Sequence, residues 1–398
     1  MVAIFSEMKS LTPPVNLELV ECAFSQNFTA RGELGASVSV WLEETEVVNL
    51  SGGFQDTEHT APWTSNTPVL VWSATKGPAA ACLLHALDAS KVPLDTRVSH
   101  LWPAFGGRGK HDITIGMLLH HQAGLCALDA SPSVEDTDAV FKAIENQSPA
   151  WEPGFAHGYH PRTFGFLLDG VLRKLTGSET LGQYWRRVFA GPLELEFWIG
   201  APEDQLGRVA PVFSPKGTVP KGDPFFTAFM TPGSLTSRSF ASPKGLHSAS
   251  AMNTHAAQTA SYPGFGGIGT AGALAKFYAM LACEGSWKGR SYFNLDTLAH
   301  LTKAGVQGDD KVLCMRTAFS CGFMKDPVDE ASGSKIRRTF GPNRAAFGHP
   351  GAGGSVAFAD PSCGLGFAYV MNQMAPGVLP SERALSLVEA CYDTQVAV

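Results

Sequence analysis

Strand-like segments cluster at the two ends of this sequence, and helix-like segments fill its middle. Near the N-terminus, residues 35–44 and 46–54 carry the runs GASVSVWLEE and EVVNLSGGF, which read as the two arms of a hairpin. Near the C-terminus, residues 346–360 and 364–372 read as strands joined by the turn Asp360-Pro361-Ser362-Cys363-Gly364. Helical spacing is expected over 14–31, 74–89, 112–122, 163–177, 270–281 and 381–392, with Thr270 as a cap and Gly124 and Gly177 as terminators. Residues 200–261 are rich in Gly, Pro and Ser with weak periodicity, and Gly266 to Gly269 are expected in a tight turn. A sheet built from both ends of the chain, with a helical unit inserted, accounts for this order.

The 398 residues are enough for two packed units. With 44% hydrophobic and 17% charged residues the chain reads as globular, not disordered. A net charge of -6 without a long basic run argues against nucleic acid as a partner. No apolar run is long enough for a membrane span, and the N-terminus does not read as a signal peptide, so a cytoplasmic, membrane-free protein is expected. The eight cysteines are scattered without CxxC spacing, which fits reduced thiols. The Asn27-Phe28-Thr29 sequon fits a surface loop.

The chemistry centres on Ser73-Ala74-Thr75-Lys76. Here a short apolar segment, Val69–Trp72, runs into an Ala/Leu-rich helix. A serine hydroxyl needs a base to become nucleophilic. A lysine one helical turn on, desolvated among Val71, Trp72 and the helix, can supply it. The pattern recurs at Ser332-Gly333-Ser334-Lys335, but in a polar stretch that reads as an exposed loop. Tyr159 lies in a Gly/His/Pro-rich segment and is a candidate for proton transfer, as phenolate or phenol, or else an amphipathic loop residue. Four glycines within residues 346–354 permit close backbone approach to a ligand. A backbone N–H from that strand, with that of Ser73, would make an oxyanion hole. The alternative for that strand is a bulged edge. No G-x-S-x-G elbow, HExxH, G-x-G-x-x-G or phosphate loop is present, and adjacent His120 and His121 cannot share a ligand from one helix face. Neither a cofactor nor a metal is expected.

These elements, in this order, resemble the serine β-lactamase and penicillin-binding-protein superfamily, and within it the class C-like branch with the family VIII carboxylesterases. The segments that carry the resemblance are VWSATKG (71–77), LLHHQAGL (118–125), Pro153-Gly154, YHPRTFGFLL (159–168) and AFGHPGAGGSVAFADPSCGLGFAYVMN (346–372). The resemblance implies an α+β fold, an antiparallel sheet flanked by helices with an inserted, mostly helical domain. The expected division is a discontinuous α/β domain, 1–82 and 262–398, and a helical domain, 83–261. It also implies Ser73 as nucleophile, Lys76 as its activator, Tyr159 in proton transfer, and the N–H groups of Ser73 and Ala352 as the oxyanion hole.

Two positions depart from the lactamase pattern. Pro161 stands where the Tyr-x-Asn motif has its amide, and His349-Pro350-Gly351 stands for Lys-Thr/Ser-Gly. Proline has neither hydroxyl nor N–H, and neutral histidine carries no fixed charge. A small-molecule ester is therefore the expected substrate. A lactam, a D-amino-acid peptide or other amide, acyl transfer to an alcohol, and a catalytically silent scaffold are the alternatives. His349 is expected to bond Tyr159 or substrate, or else to fill space. Gly351 and Gly353 are candidates for substrate contact. Trp72, Trp151, Phe155 and Phe265 are candidate pocket walls or core residues.

Overall fold

Strands from both ends of the chain meet in one sheet. The computed structural model describes residues 15–219 and 221–393. In it, β1 (Gly35–Leu42) and β2 (Thr45–Gly53) form the N-terminal hairpin. The C-terminal part supplies β3 (Val306–Asp309), β4 (Arg316–Ser320), β5 (Phe323–Lys325), β6 (Phe347–Pro350), β7 (Val356–Asp360) and β8 (Leu365–Met371). Their order across the sheet is β2-β1-β8-β7-β6-β5-β4-β3, and every neighbouring pair is antiparallel. The first and last parts of the chain are joined where Val38 pairs with Tyr369.

Side chains alternate along β8, so its two faces meet different partners. Gly366 backs onto the helix Ala271–Ala282, where an added Cβ would lie 2.3 Å from Ala275 O and Ala279 N. Only glycine lets that helix backbone lie on the sheet. Tyr369, on the other face, donates to the carboxylate of Glu33. Glu33 follows the helix Leu17–Ala30 and pairs at 2.7 Å with Arg383 of the helix Glu382–Tyr392. With helices on both faces, all seven residues of β8 are buried. Among the described residues no helix is long and apolar enough to cross a membrane.

Several expectations need correction. The helix expected over 112–122 is only Ile115–Leu119, capped by Thr114; His121 then turns the chain with φ 56°. Asn27 lies buried inside the first helix and donates to Arg383 O, so the sequon is not on a loop. The glycine stretch is not a turn, because Gly267–Gly269 is the middle strand of a three-stranded sheet between Val69–Leu70 and Phe197–Ile199. A Cβ on Gly267 would meet the Phe197 ring at 2.5 Å, so those glycines serve close packing. Helix Lys76–Ser90 runs unbroken through residues 82 and 83. The strands β3, β4 and β5 carried no pattern long enough to be read.

Candidate active site

Ser73 sits in a turn that couples the small sheet to the helix beneath it. After Val69–Leu70 the chain makes a 3-10 turn, Trp72–Thr75, and continues directly as the helix Lys76–Ser90. Trp72 has φ 49°, an uncommon conformation for a residue with a Cβ. Thr75 holds it in place: its hydroxyl donates to Trp72 O and accepts the Gly267 N–H at 2.8 Å. The extension of β6 lies against this turn. A Cβ on Gly351 would sit 2.1 Å from Val71 O, and Gly353 has φ 86° with Met374 beside it. Both glycines therefore serve backbone approach and turning. Between them Ala352 is half-buried, and its N–H has no acceptor among the described residues.

Lys76 is buried completely, yet among the described residues no carboxylate pairs with it. Its Nζ donates to Pro161 O at 2.9 Å and Gly264 O at 2.6 Å, and lies 3.3 Å from Ser73 Oγ. Burial, then the positive charge of Arg162, drives its pKa far below the ordinary lysine value. A neutral amine has two N–H bonds and one lone pair. Carbonyl oxygens can only accept, so the two carbonyls take both N–H bonds. The lone pair is left for the Ser73 hydroxyl.

Tyr159 is buried against this pair. Lys76 Nζ is 4.9 Å from its ring centroid, and the Ser73 side chain is the neighbour that partly offsets the effect of burial on its hydroxyl. Burial raises its pKa, which disfavours the phenolate and leaves Tyr159 as an O–H donor. His349 lies tilted against Tyr159 with ring centroids 5.8 Å apart. Its Nδ1–H donates to Pro350 O at 2.7 Å, while its buried Nε2 has no partner. Burial, then Lys76, pushes its pKa down to about 3, so the ring is neutral.

The other wall candidates divide. Trp72 is buried beside Ser73 with an unpartnered indole N–H. Trp151 donates to Gln122 O at 3.2 Å and meets His160 edge-on, so it backs the Tyr159 loop. Phe155 is 81% exposed and lines no buried pocket. Phe265 is core, stacked on Tyr262 with the Arg162 guanidinium 4.8 Å from its ring centroid. The second serine–lysine pattern is structural: Lys335 Nζ forms a buried ion pair with Asp326 at 3.0 Å, and Ser332 caps a turn on Asp329.

Residues that the sequence did not point to hold this site. The buried Asp310 carboxylate accepts the Tyr159 N–H at 3.0 Å, those of Val312 and Leu313 at 2.9 and 2.8 Å, and the Thr317 hydroxyl at 3.0 Å. His160 accepts the Leu125 N–H and donates to Gly158 O; His121 accepts the His160 N–H. Nothing in the run Asp309-Asp310-Lys311 signals a partner 151 residues away. Asp310→Ala strands several buried amides and is expected to cost about 2–4 kcal/mol in urea unfolding, with loss of activity. Asp310→Asn keeps an acceptor for the three amides. It is expected to retain most of both stability and activity.

The β-lactamase family matches residues 23–391, and the chain belongs to that family. One relative is the esterase/β-lactamase LipL of Mycobacterium tuberculosis, 29% identical over 372 residues, covering 91% of this chain and 82% of LipL. A solved family VIII carboxylesterase is 32% identical with a TM-score of 0.84, covering 97% of this chain and 99% of its own. A penicillin-binding-protein homologue from Caulobacter crescentus is also 32% identical, with a TM-score of 0.83 and the same coverage.

Proposed function

We propose that this protein is a serine hydrolase that cleaves carboxylic esters of small molecules through an acyl-enzyme on Ser73. The carrying observation is the Lys76 amine, fixed by two carbonyls with its third position at Ser73 Oγ. Lys76 takes the Ser73 proton as Oγ attacks the ester carbonyl. The oxyanion rests on the N–H groups of Ser73 and Ala352. As the tetrahedral intermediate collapses, Tyr159 gives its proton to the leaving alkoxide, and the Lys76 ammonium reprotonates the phenolate. Water then follows the reverse path: it loses a proton to the amine, attacks the acyl carbon, and Ser73 leaves with a proton while the acid is released.

The ends of the site favour an uncharged ester. Where a lactamase would offer an ammonium and a hydroxyl to a substrate carboxylate, His349 is neutral and Pro350 has no donor. Pro161 offers only its carbonyl, and that is taken by Lys76. The esterase relatives support the same reading.

The test compares initial hydrolysis of a short-chain p-nitrophenyl ester and of a chromogenic cephalosporin by wild type and Ser73→Ala. Ester turnover is expected to exceed cephalosporin turnover and to fall at least about a thousandfold in the variant. Intact-mass analysis is expected to find the acyl group on Ser73. Equal ester turnover by Ser73→Ala would refute the assignment. Faster cephalosporin turnover would turn it toward a lactamase. A Ser73 inert to acylating and phosphonylating probes would indicate a scaffold.

A further inference from the structure

We propose that Arg162 is a positioning residue that keeps Lys76 in its proton-accepting form, by fixing a permanent positive charge close to it where, among the described residues, neither cation has an ion-pair partner. The inference rests on the reading of Ser73 as a nucleophile activated by Lys76. Two pairs of adjacent residues frame both cations. Lys76 donates to the carbonyls of Pro161 and Gly264. Arg162, the next residue after Pro161, turns away and lays its guanidinium over Phe265, the next residue after Gly264, 4.8 Å from the ring centroid. The frame is tight, because a Cβ on Gly165 would lie 2.2 Å from Gly264 N.

The acceptors of Arg162 are carbonyls as well. Its Nε donates to Pro243 O at 2.9 Å, Nη1 to Leu246 O at 3.4 Å, and Nη2 to Gly245 O. Among the described residues it makes no ion pair, although it is 6% exposed. Two buried cations without an anion repel each other, and the group that can shed its charge does so. A guanidinium holds its proton throughout the working range of a protein, whereas an ammonium yields it when buried. Burial lowers Arg162 only to about 10, so it stays charged at neutral pH.

The other titratable groups around Lys76 cannot take over this role. Tyr159 and His160 flank it from the same loop, His121 from the segment after Ile115–Leu119, and His349 from β6. Burial keeps all four uncharged. Arg162 itself is faced by Tyr262 and His247, whose imidazole it holds down along with burial. The buried Asp310 carboxylate is occupied by the Tyr159, Val312 and Leu313 amides.

The experiment measures the rate of Ser73 phosphonylation by a fluorophosphonate against pH, in wild type, Arg162→Gln and Arg162→Lys, with thermal melts to establish folding. Wild type is expected to lose reactivity on the acid side as Lys76 takes up a proton. That acid limb is expected to move up by at least about one pH unit in Arg162→Gln, and to move up in Arg162→Lys as well, because a buried ammonium yields the charge that the guanidinium keeps. A folded Gln variant with an unmoved limb overturns the proposal. If Arg162→Gln does not fold, Arg162→Lys decides: its buried ammonium yields the charge that the guanidinium holds, so an upward-shifted limb there supports the proposal and an unmoved one overturns it. A wild-type Ser73 that does not react at all refutes the underlying reading of the nucleophile instead.

Discussion

Lys76→Met is expected to lower kcat/KM for a p-nitrophenyl ester by about a hundredfold to ten-thousandfold, the usual contribution of a general base. Methionine matches the length of the lysine stem and fills the same apolar sleeve, so the loss reports the amine. No neighbour can substitute. Tyr159 is held as a phenol by burial, and His349, pushed down to about 3 by burial, is too weak a base at its free Nε2. Lys76→Arg is expected to be as inactive, because a guanidinium has five donors and no acceptor. Phosphonylation of Ser73 should slow by the same factor as ester turnover, since both need the serine proton removed. Circular dichroism and melting check that the variants fold. A Lys76→Met enzyme with more than about a tenth of wild-type activity would remove the amine from the mechanism.

The parts of this site that the sequence announces are those that are local in the chain. Ser73 and Lys76 lie one turn apart, and Thr270 was readable as a cap because its side chain accepts from Ala273 N three residues on. The supporting parts are distant or lack a side-chain signature. The acceptors that orient Lys76 are backbone carbonyls 85 and 188 residues away, which any residue type would supply. Asp310 reaches Tyr159 across 151 residues. Fold legibility divides in the same way. The N-terminal hairpin and β8 have enough length to show their periodicity. In contrast β5 has three residues, and β3, Val-Gln-Gly-Asp, is only partly buried at the sheet edge. The over-long helix at 112–122 failed because the apolar spacing runs through His120 and His121. The chain needs those residues to turn back, so that His121 can accept the His160 N–H. Gly266 to Gly269 read as a turn because glycines that allow close packing and glycines that allow turning look alike in a sequence.

The same electrostatics predict that the fold is acid-labile well above the carboxylate range. Burial pushes His120 down to about 4 and His160 and His349 to about 3, and holds His121 well below its ordinary value. Each is neutral in the folded protein at pH 5, while in the unfolded chain it binds a proton below about 6.5. The stability they contribute is therefore complete above pH 6.5 and is lost as pH falls toward their folded values. Each histidine adds about 1.4 kcal/mol per pH unit to that loss, or about 2 kcal/mol by pH 5. Glu33, Asp169 and Asp310, each raised mainly by burial, work against them. Burial raises Glu33 to about 7, so the folded state binds its proton earlier than the unfolded chain and gains stability over the same window. The imidazoles, joined by His85, His157 and His247 and by the uncharged Lys76, outweigh these carboxylates and leave a net loss between pH 7 and 5, to be set against the ~5–15 kcal/mol that holds a typical domain. Urea unfolding at pH 7, 6 and 5 is expected to show midpoints falling steeply, and His160→Gln is expected to flatten the slope by about one proton. A midpoint unchanged from pH 7 to 5 would mean that these imidazoles find protons or water in the folded state. Neutral histidines and an uncharged lysine around Ser73 would then be the wrong description of the pocket.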